Sequence, residues 1–100
     1  MPRQIDRMKT LFPIIRELVA AEKYVVGQHA AERLEERDIL EWQVVAGMAE
    51  AVFLAEWPNS MPNPTVELSE TLPDGVEIKA VWSYLRQSGV AKLVTVHFFD

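Results

Sequence analysis

One histidine and two arginines recur at four-residue steps within the segment GQHAAERLEERDI, residues 27–39. They are His29, Arg33 and Arg37, and on a helix with about 100° per residue they fall within an arc of about 80°. Histidine is the side chain that titrates near neutral pH without perturbation. Arginine binds phosphate through paired, charge-assisted hydrogen bonds. The spacing therefore predicts a site that holds a phosphate group beside a proton donor or acceptor.

A structural role fits the same arc. Its apolar neighbours are expected to face the core and its glutamates the solvent, so the basic residues form a border strip between sheet and solvent. Such a strip either opens into a cleft or pairs with sheet carboxylates, such as Glu56 or Glu67, and fixes the helix in place. Arg37 also precedes Glu41 by four residues, a helical ion pair worth only tenths of a kcal/mol. The residues alone leave both alternatives open.

A second polar pair lies near the C-terminus, where Thr95 and His97 alternate along a β-type segment and share one face. This face is either an ordinary solvated one or the lining of a cleft in which the pair acts with Lys79 or Lys92. The apolar residues of the segment are expected on the opposite face, under the helices: Val94, Val96 and Phe98.

Composition excludes several kinds of site. The chain has 100 residues, of which 49% are hydrophobic and 25% charged, as in a single globular domain over 1–100. The absence of cysteine excludes disulfides, a thiol nucleophile and Cys-ligated metals. The two histidines lack zinc-type spacing, and there is no phosphate-binding glycine loop or nucleophile elbow. We therefore expect neither a metal nor a cofactor.

Charge limits the partners. The net charge is −5, and acidic residues outnumber basic ones in both halves of the chain, nine to seven and six to three. Nucleic-acid binders usually carry a basic surface, so any RNA contact would depend on a local patch, with Arg33 and Arg37 the most compact candidate. The start of the chain does not resemble a secretory signal, and no apolar run approaches the roughly 20 residues of a membrane span. We expect a cytoplasmic protein without membrane contact.

The period of the apolar residues predicts helices first and strands afterwards. Helices are expected at 1–22, 29–37 and 40–49, with a kink or a new helix start at Pro13. A short β-type run is expected at 24–27, and strands at 51–57, 65–69, 76–85 and 90–99. Residues 58–64 form a loop, and turns at 73–75 and 87–89 join the last three strands as antiparallel hairpins. The prediction is an α+β fold, with N-terminal helices packed on one face of an antiparallel four-stranded sheet.

The order of motifs resembles a small bacterial family known as domain of unknown function 4258. Its pattern is H-A-x-x-R-M/L-x-x-R-x-I after a short strand and before a helix that ends in glycine. The matching residues are His29-Ala30, Arg33-Leu34, Arg37, Ile39, Val44 or Val45, Gly47, Glu56-Trp57-Pro58, Asp74-Gly75 and Leu93-Val94-Thr95-Val96. The family-like core covers 24–99, after the helical segment 1–22. The chain departs from the pattern at Gly27, where relatives often have Ser or Thr, and at Asp38, where relatives usually have glycine. Aspartate tolerates a left-handed turn better than most residues do.

The order of elements is also similar to the RelE-like toxin fold, shared with small ribonucleases. This resemblance implies metal-independent RNA cleavage, with His29 or His97 as the acid–base group and the two arginines as the phosphate clamp. The implied partners are RNA and an inhibitor or antitoxin-like protein, and a homo-oligomer is left open. The alternative is a non-catalytic protein-interaction or regulatory domain. Three tryptophans could stack on RNA bases, but packing in the core or in an interface is the favoured interpretation: Trp42, Trp57 and Trp82.

Overall fold

The structure, a computed structural model, describes residues 11–99. The helices are α1 (Leu11–Ala20), α2 (Gln28–Glu36) and α3 (Glu41–Gly47), which continues into a 3₁₀ turn at Met48–Glu50. The strands are β1 (Tyr24–Val26), β2 (Val52–Trp57), β3 (Thr65–Thr71), β4 (Glu77–Leu85) and β5 (Val90–Phe98). Pro13 lies inside α1. Whether the helix is kinked there or starts anew depends on the residues before Leu11, which are outside the described residues. None of the described helices has the length and apolar character to cross a bilayer.

The sheet has five strands in the order β1-β5-β4-β3-β2. Strands β2 to β5 form an antiparallel meander, as predicted. The prediction of a four-stranded, purely antiparallel sheet is wrong, because β1 adds a fifth strand that runs parallel to β5. The sequence shows the β-type run at 24–27, but its partner is far away in the chain and adjacent turn signals cannot reveal it. The sheet is therefore mixed, and the fold is α+β.

The predicted turns are present. Gly75 and Gly89 have positive φ angles of 90° and 68° in the two hairpin connections. Between α2 and α3, Asp38 has a φ angle of 55°, the left-handed conformation that Asp tolerates better than most residues. After this reversal, the side chain of Gln43 accepts the free N–H of Leu40 at 2.9 Å and so caps the start of α3.

All three helices cover one face of the sheet, here called the inner face. Residues that pair directly across antiparallel strands share a face, so the register assigns each strand residue to the inner face or to the opposite, outer face. The core is formed by buried inner-face and helical side chains: Leu11, Ile15, Val19, Ala30, Leu34, Val44, Val66, Leu68, Ile78, Ala80, Trp82, Leu93 and Val96. The outer face has no helix from the described part of the chain on it.

A β-bulge in β5 changes which residues face the core. Val81 pairs with Thr95, but the next residue of β4 pairs with Leu93, so Val94 is an extra residue. Leu93 and Val96 are buried, whereas Val94 lines a cavity on the outer face. The prediction that Val94 lies under the helices is therefore wrong. Strict alternation cannot anticipate an inserted residue.

Candidate functional site

Helix α2 presents its basic residues at the border of the sheet. Ala30 and Leu34 are buried against the core, Arg33 and Arg37 are half-buried, and His29 is exposed. The border strip expected from the sequence is thus present. Strand β1 pairs only with residues 91–93, so the rest of β5 has no described strand on that side, and α2 lies along it.

His97 lies on the outer face near the end of β5, directly opposite Lys79 of β4. Its pKa is lowered by burial first and then by the positive charges of Lys79, Arg33, Arg37 and His29. Charges influence a pKa in this way only when they are near the titrating group. Lys79 faces His97 across the strand pair, and α2 lies along β5 close enough for the charges of its basic residues to act on His97. We call His29, Arg33, Arg37, Lys79 and His97 the basic cluster.

Neither arginine is closed in a buried ion pair with a described residue. Arg33 meets Glu36, one helical turn further on, at 3.7 Å, and both side chains are solvent-accessible. Arg37 places its guanidinium carbon 4.7 Å from the ring centroid of Phe98, a cation–π contact. The Nε atom of Arg37 is buried and has no hydrogen-bond partner among residues 11–99. Within this range, both guanidinium groups keep donors available for an anion.

The carboxylates considered as partners for the arginines are engaged elsewhere. Glu67 pairs with Lys79 at 3.6 Å on the outer face. Glu56 is partly buried, which raises the pKa of its carboxyl, while a hydrogen bond from the backbone of Leu11 acts in the opposite direction. Glu41 accepts the hydroxyl of Tyr24 at 2.6 Å, and the helix has already ended between it and Arg37, so the expected ion pair is not formed.

Thr95, the remaining predicted site residue, lies at the bulge on the same face as His97. Its hydroxyl oxygen is buried and has no hydrogen-bond partner in the described part of the chain. It lies on the same face as His97, but among residues 11–99 its hydroxyl makes no hydrogen bond with either arginine.

The basic cluster is an open surface rather than a deep cleft. None of five cavities on the described residues is lined by His29, Arg33, Arg37 or His97. Among residues 11–99, no group of three His, Asp or Glu side chains is placed to hold a metal ion. What the cluster supplies is fixed positive charge around an imidazole, a combination suited to a phosphate and to proton transfer.

Sequence reasoning missed a buried acid, Glu70 of β3. Its side chain is fully buried, and desolvation raises its pKa to about 7, although a hydrogen bond from Trp82 favours the ionised form. The signal was present, because Glu70 alternates with Val66 and Leu68, both buried on the inner face. A carboxyl at such a position has to be buried together with them.

The three tryptophans have different environments. Trp82 is buried and packs edge-on against Tyr24, as the core interpretation predicted. Trp42 and Trp57 are 58% and 53% exposed, so core packing is wrong for these two. Trp57 lies on the outer face, in register with Thr65 of β3.

Comparison with protein-family models, with curated proteins and with solved structures finds no match to this chain. The resemblance to the family of unknown function and to the RelE-like fold therefore stays a prediction. The arguments for function below rest on the geometry of the chain itself.

Proposed function

We propose that this domain is a toxin-like, metal-independent endoribonuclease of RelE-like type, with the basic cluster as its site. The observation that supports this most directly is the position of His97, which lies opposite Lys79 on a strand that α2 packs along, so that the charges of Lys79, Arg33 and Arg37 lower its pKa. A phosphodiester placed there would contact donors of Arg33 and Arg37 while lying close to two imidazoles. This combination stabilises the negative charge that develops during phosphate transfer.

The reaction follows from the two histidines. His97, kept neutral by its lowered pKa, accepts the proton of the ribose 2′-hydroxyl. The 2′-oxygen attacks phosphorus and the bond from phosphorus to the 5′-oxygen breaks. His29 gives a proton to that leaving oxygen, so the products are a cyclic phosphate and a 5′-hydroxyl. Arg33 and Arg37 hold the non-bridging phosphate oxygens throughout.

The acidic character of the chain sets the expected mode of binding. With a net charge of −5, the surface as a whole repels RNA, and attraction is confined to the basic cluster. Binding should therefore be weak, with a shallow salt dependence that reflects roughly two or three phosphate contacts.

The test is incubation of purified protein with mixed RNA, with and without a chelator. Wild type should cleave in both conditions, and His29→Ala or His97→Ala should lower the rate by about 10²–10⁴-fold. Lys23→Ala, which removes an exposed cation from the turn before β1, is the matched control and should cleave normally. Equal inactivity of wild type and variants across several RNAs would remove the nuclease proposal.

One observation favours the second candidate, a non-catalytic protein-interaction domain. Strand β2 is an edge of the sheet and carries exposed apolar residues, with Val52 60% and Leu54 44% exposed. Edge strands are normally protected by Lys, Pro or a covering element, and VFLAEW contains neither residue. A strand of an inhibitor-like protein or of a second copy could extend the sheet there. Under this alternative Leu54→Lys abolishes a complex seen by sedimentation, and His97→Ala leaves it intact.

A further inference from the structure

We propose that the outer face carries a second RNA subsite, made by Trp57, Thr65, Ser83 and Lys92, which holds a nucleotide flanking the one at the basic cluster. This inference rests on the proposed function. It adds the substrate class, single-stranded RNA, and the path that the RNA takes across the outer face. These four residues are called the outer row.

The register places the outer row on one line across the sheet. Trp57 pairs with Thr65, Thr65 with Ser83, and Ser83 with Lys92. Directly paired residues share a face, so an aromatic ring, two hydroxyls and an ammonium group stand side by side. These are the groups that non-specific single-strand binders combine, stacking for bases and cations for phosphates.

Trp57 is held in an exposed position. Its indole N–H donates to Glu67 Oε2 at 3.0 Å, and Glu67 is in turn paired with Lys79 of the basic cluster. The ring is 53% exposed, so a face is available to a base. The same carboxylate thus connects the outer row with the cation opposite His97.

The two hydroxyls are oriented to accept hydrogen bonds. Thr65 Oγ1 donates to the carbonyl of Asn63 at 3.1 Å, so in its 3.0 Å contact with Ser83 the serine must be the donor. Both hydroxyl hydrogens are then used. Ser83 is only 7% exposed and orients the Thr65 hydroxyl, whereas Thr65 is half-buried, and the remaining lone pair of its Oγ1 can accept an N–H group from the edge of a base.

Lys92 is the member of the outer row on β5, and its side chain lies beside Gly27, the residue before α2. A Cβ atom at Gly27 would be 2.8 Å from Lys92 Cε and 3.7 Å from its Nζ, so the glycine lets the lysine side chain lie directly against the start of α2. Gly27 directly precedes α2, two residues before His29. Lys92 makes no ion pair with any residue of the described range, and its ammonium group can meet a phosphate.

A cavity of about 340 Å³ adjoins the outer row. Its walls include Thr65, Ser83 and Lys92 from the sheet, and the loop over 58–64 contributes Met61 and Pro62. This volume lies within the usual range of small-molecule sites, roughly 300–1,000 Å³. The cavity therefore offers a partly apolar place for a base beside the cation that would hold its phosphate.

The groups that would hold phosphate at the two sites are far apart along the sheet. Lys92 pairs with Ser83 and His97 with Lys79, and on β4 these two partners are four residues apart, about 13 Å of strand. One phosphate can therefore contact Lys92 or the groups around His97, but not both. A strand of several nucleotides can contact both, so affinity should increase with RNA length.

The experiment uses a fluorescent hexanucleotide with methylated 2′-oxygens, which cannot be cleaved, and measures anisotropy at low salt. Trp57→Ala should weaken binding by about 5-fold or more, whereas Trp57→Phe, which can still stack, should retain it. Lys92→Met should weaken binding and reduce the slope of log affinity against log salt by about one. Trp42→Ala removes an equally exposed tryptophan from α3 and is the matched control.

The outcomes separate this inference from the proposed function. If wild type neither binds the hexanucleotide nor cleaves RNA, both fail together. If binding is lost in Arg33→Ala but unchanged in Trp57→Ala and Lys92→Met, the basic cluster remains and the outer row is overturned. If binding is lost in Arg33→Ala, Trp57→Ala and Lys92→Met but unchanged in Trp42→Ala, both the basic cluster and the outer row are supported. Circular dichroism must show that all variants are folded.

Discussion

Trp82 donates its indole N–H to Glu70 Oε2 at 3.3 Å inside the core, where both side chains are fully buried. The other carboxyl oxygen, Oε1, has no hydrogen-bond partner among the described residues. Burial without a compensating cation favours the neutral acid, and the pKa of Glu70 rises to about 7. Folding therefore has to accommodate an acid whose ionisation is unfavourable at neutral pH.

The first prediction concerns stability against pH. Because the folded pKa of Glu70 is about 7 and its unfolded value 4.5, the folded state holds the proton more tightly. The resulting stabilisation is complete below pH 4.5 and is lost as the pH rises through 7. It amounts to roughly 3 kcal/mol. Urea unfolding at pH 5 and pH 8 should show most of this loss in wild type.

Glu70→Gln should remove that pH dependence, because the amide stays neutral and its oxygen can still accept the Trp82 N–H. At pH 8 this variant should be more stable than wild type. The exposed Glu77→Gln on β4 is the control and should keep the wild-type profile. A profile of Glu70→Gln that runs parallel to wild type would contradict the assignment.

The second prediction concerns Gly47 at the end of α3. Gly→Ala in a helix usually stabilises, by about 0.5–1 kcal/mol. Here a Cβ would lie 2.9 Å from Glu70 Oε1 and 3.2 Å from the carbonyl of Thr71. Gly47→Ala should instead lower stability by roughly 1–3 kcal/mol through overpacking. Thermal unfolding measures the difference, and a higher melting temperature would refute the close contact.

Periodicity and turn chemistry made much of this fold predictable. Amphipathic spacing located α2 and placed its arginines at the border of the core, and the glycines of the two hairpins located the meander. Asp38 was expected to allow a left-handed turn and does. These features depend on neighbours in sequence, so one sequence is sufficient to find them.

The features that were missed depend on distant partners. The pairing of β1 with β5 joins residues more than sixty positions apart, and no local signal encodes it. The bulge at Val94 is a property of the pairing between β4 and β5. For the candidate site, the arc of His29, Arg33 and Arg37 on one helical face was predictable from their spacing. The position of Lys79 opposite His97 could be known only from the register of β4 and β5.

The third prediction tests whether Arg33 stabilises the fold through an ion pair or is free to bind RNA. A buried partner left behind by Arg33→Ala would cost about 3–5 kcal/mol. The described structure shows only the accessible contact with Glu36, so Arg33→Ala should change stability by less than about 0.5 kcal/mol. RNA binding should nevertheless weaken. Denaturant unfolding and anisotropy on the same preparation test both statements, and a large destabilisation would favour the structural role.

The last prediction concerns the titration of His97. Partial burial and the charge of Lys79, then those of the basic residues of α2, lower its pKa below the ordinary 6.5. The protonated form is disfavoured, so His97 should remain neutral, and able to accept a proton, at pH values where a free histidine is half charged. Lys79→Met removes the largest of the charge effects and should move the pKa upward, whereas Lys23→Met, outside the cluster, should not. Ring proton shifts of His97 followed by NMR against pH give both values without requiring any activity. If the domain cleaves RNA, the acidic limb of its pH–rate profile should move in the same direction in Lys79→Met. A midpoint at or above 6.5 in wild type would show that the cations do not converge on His97, and the proposed base would lose its support.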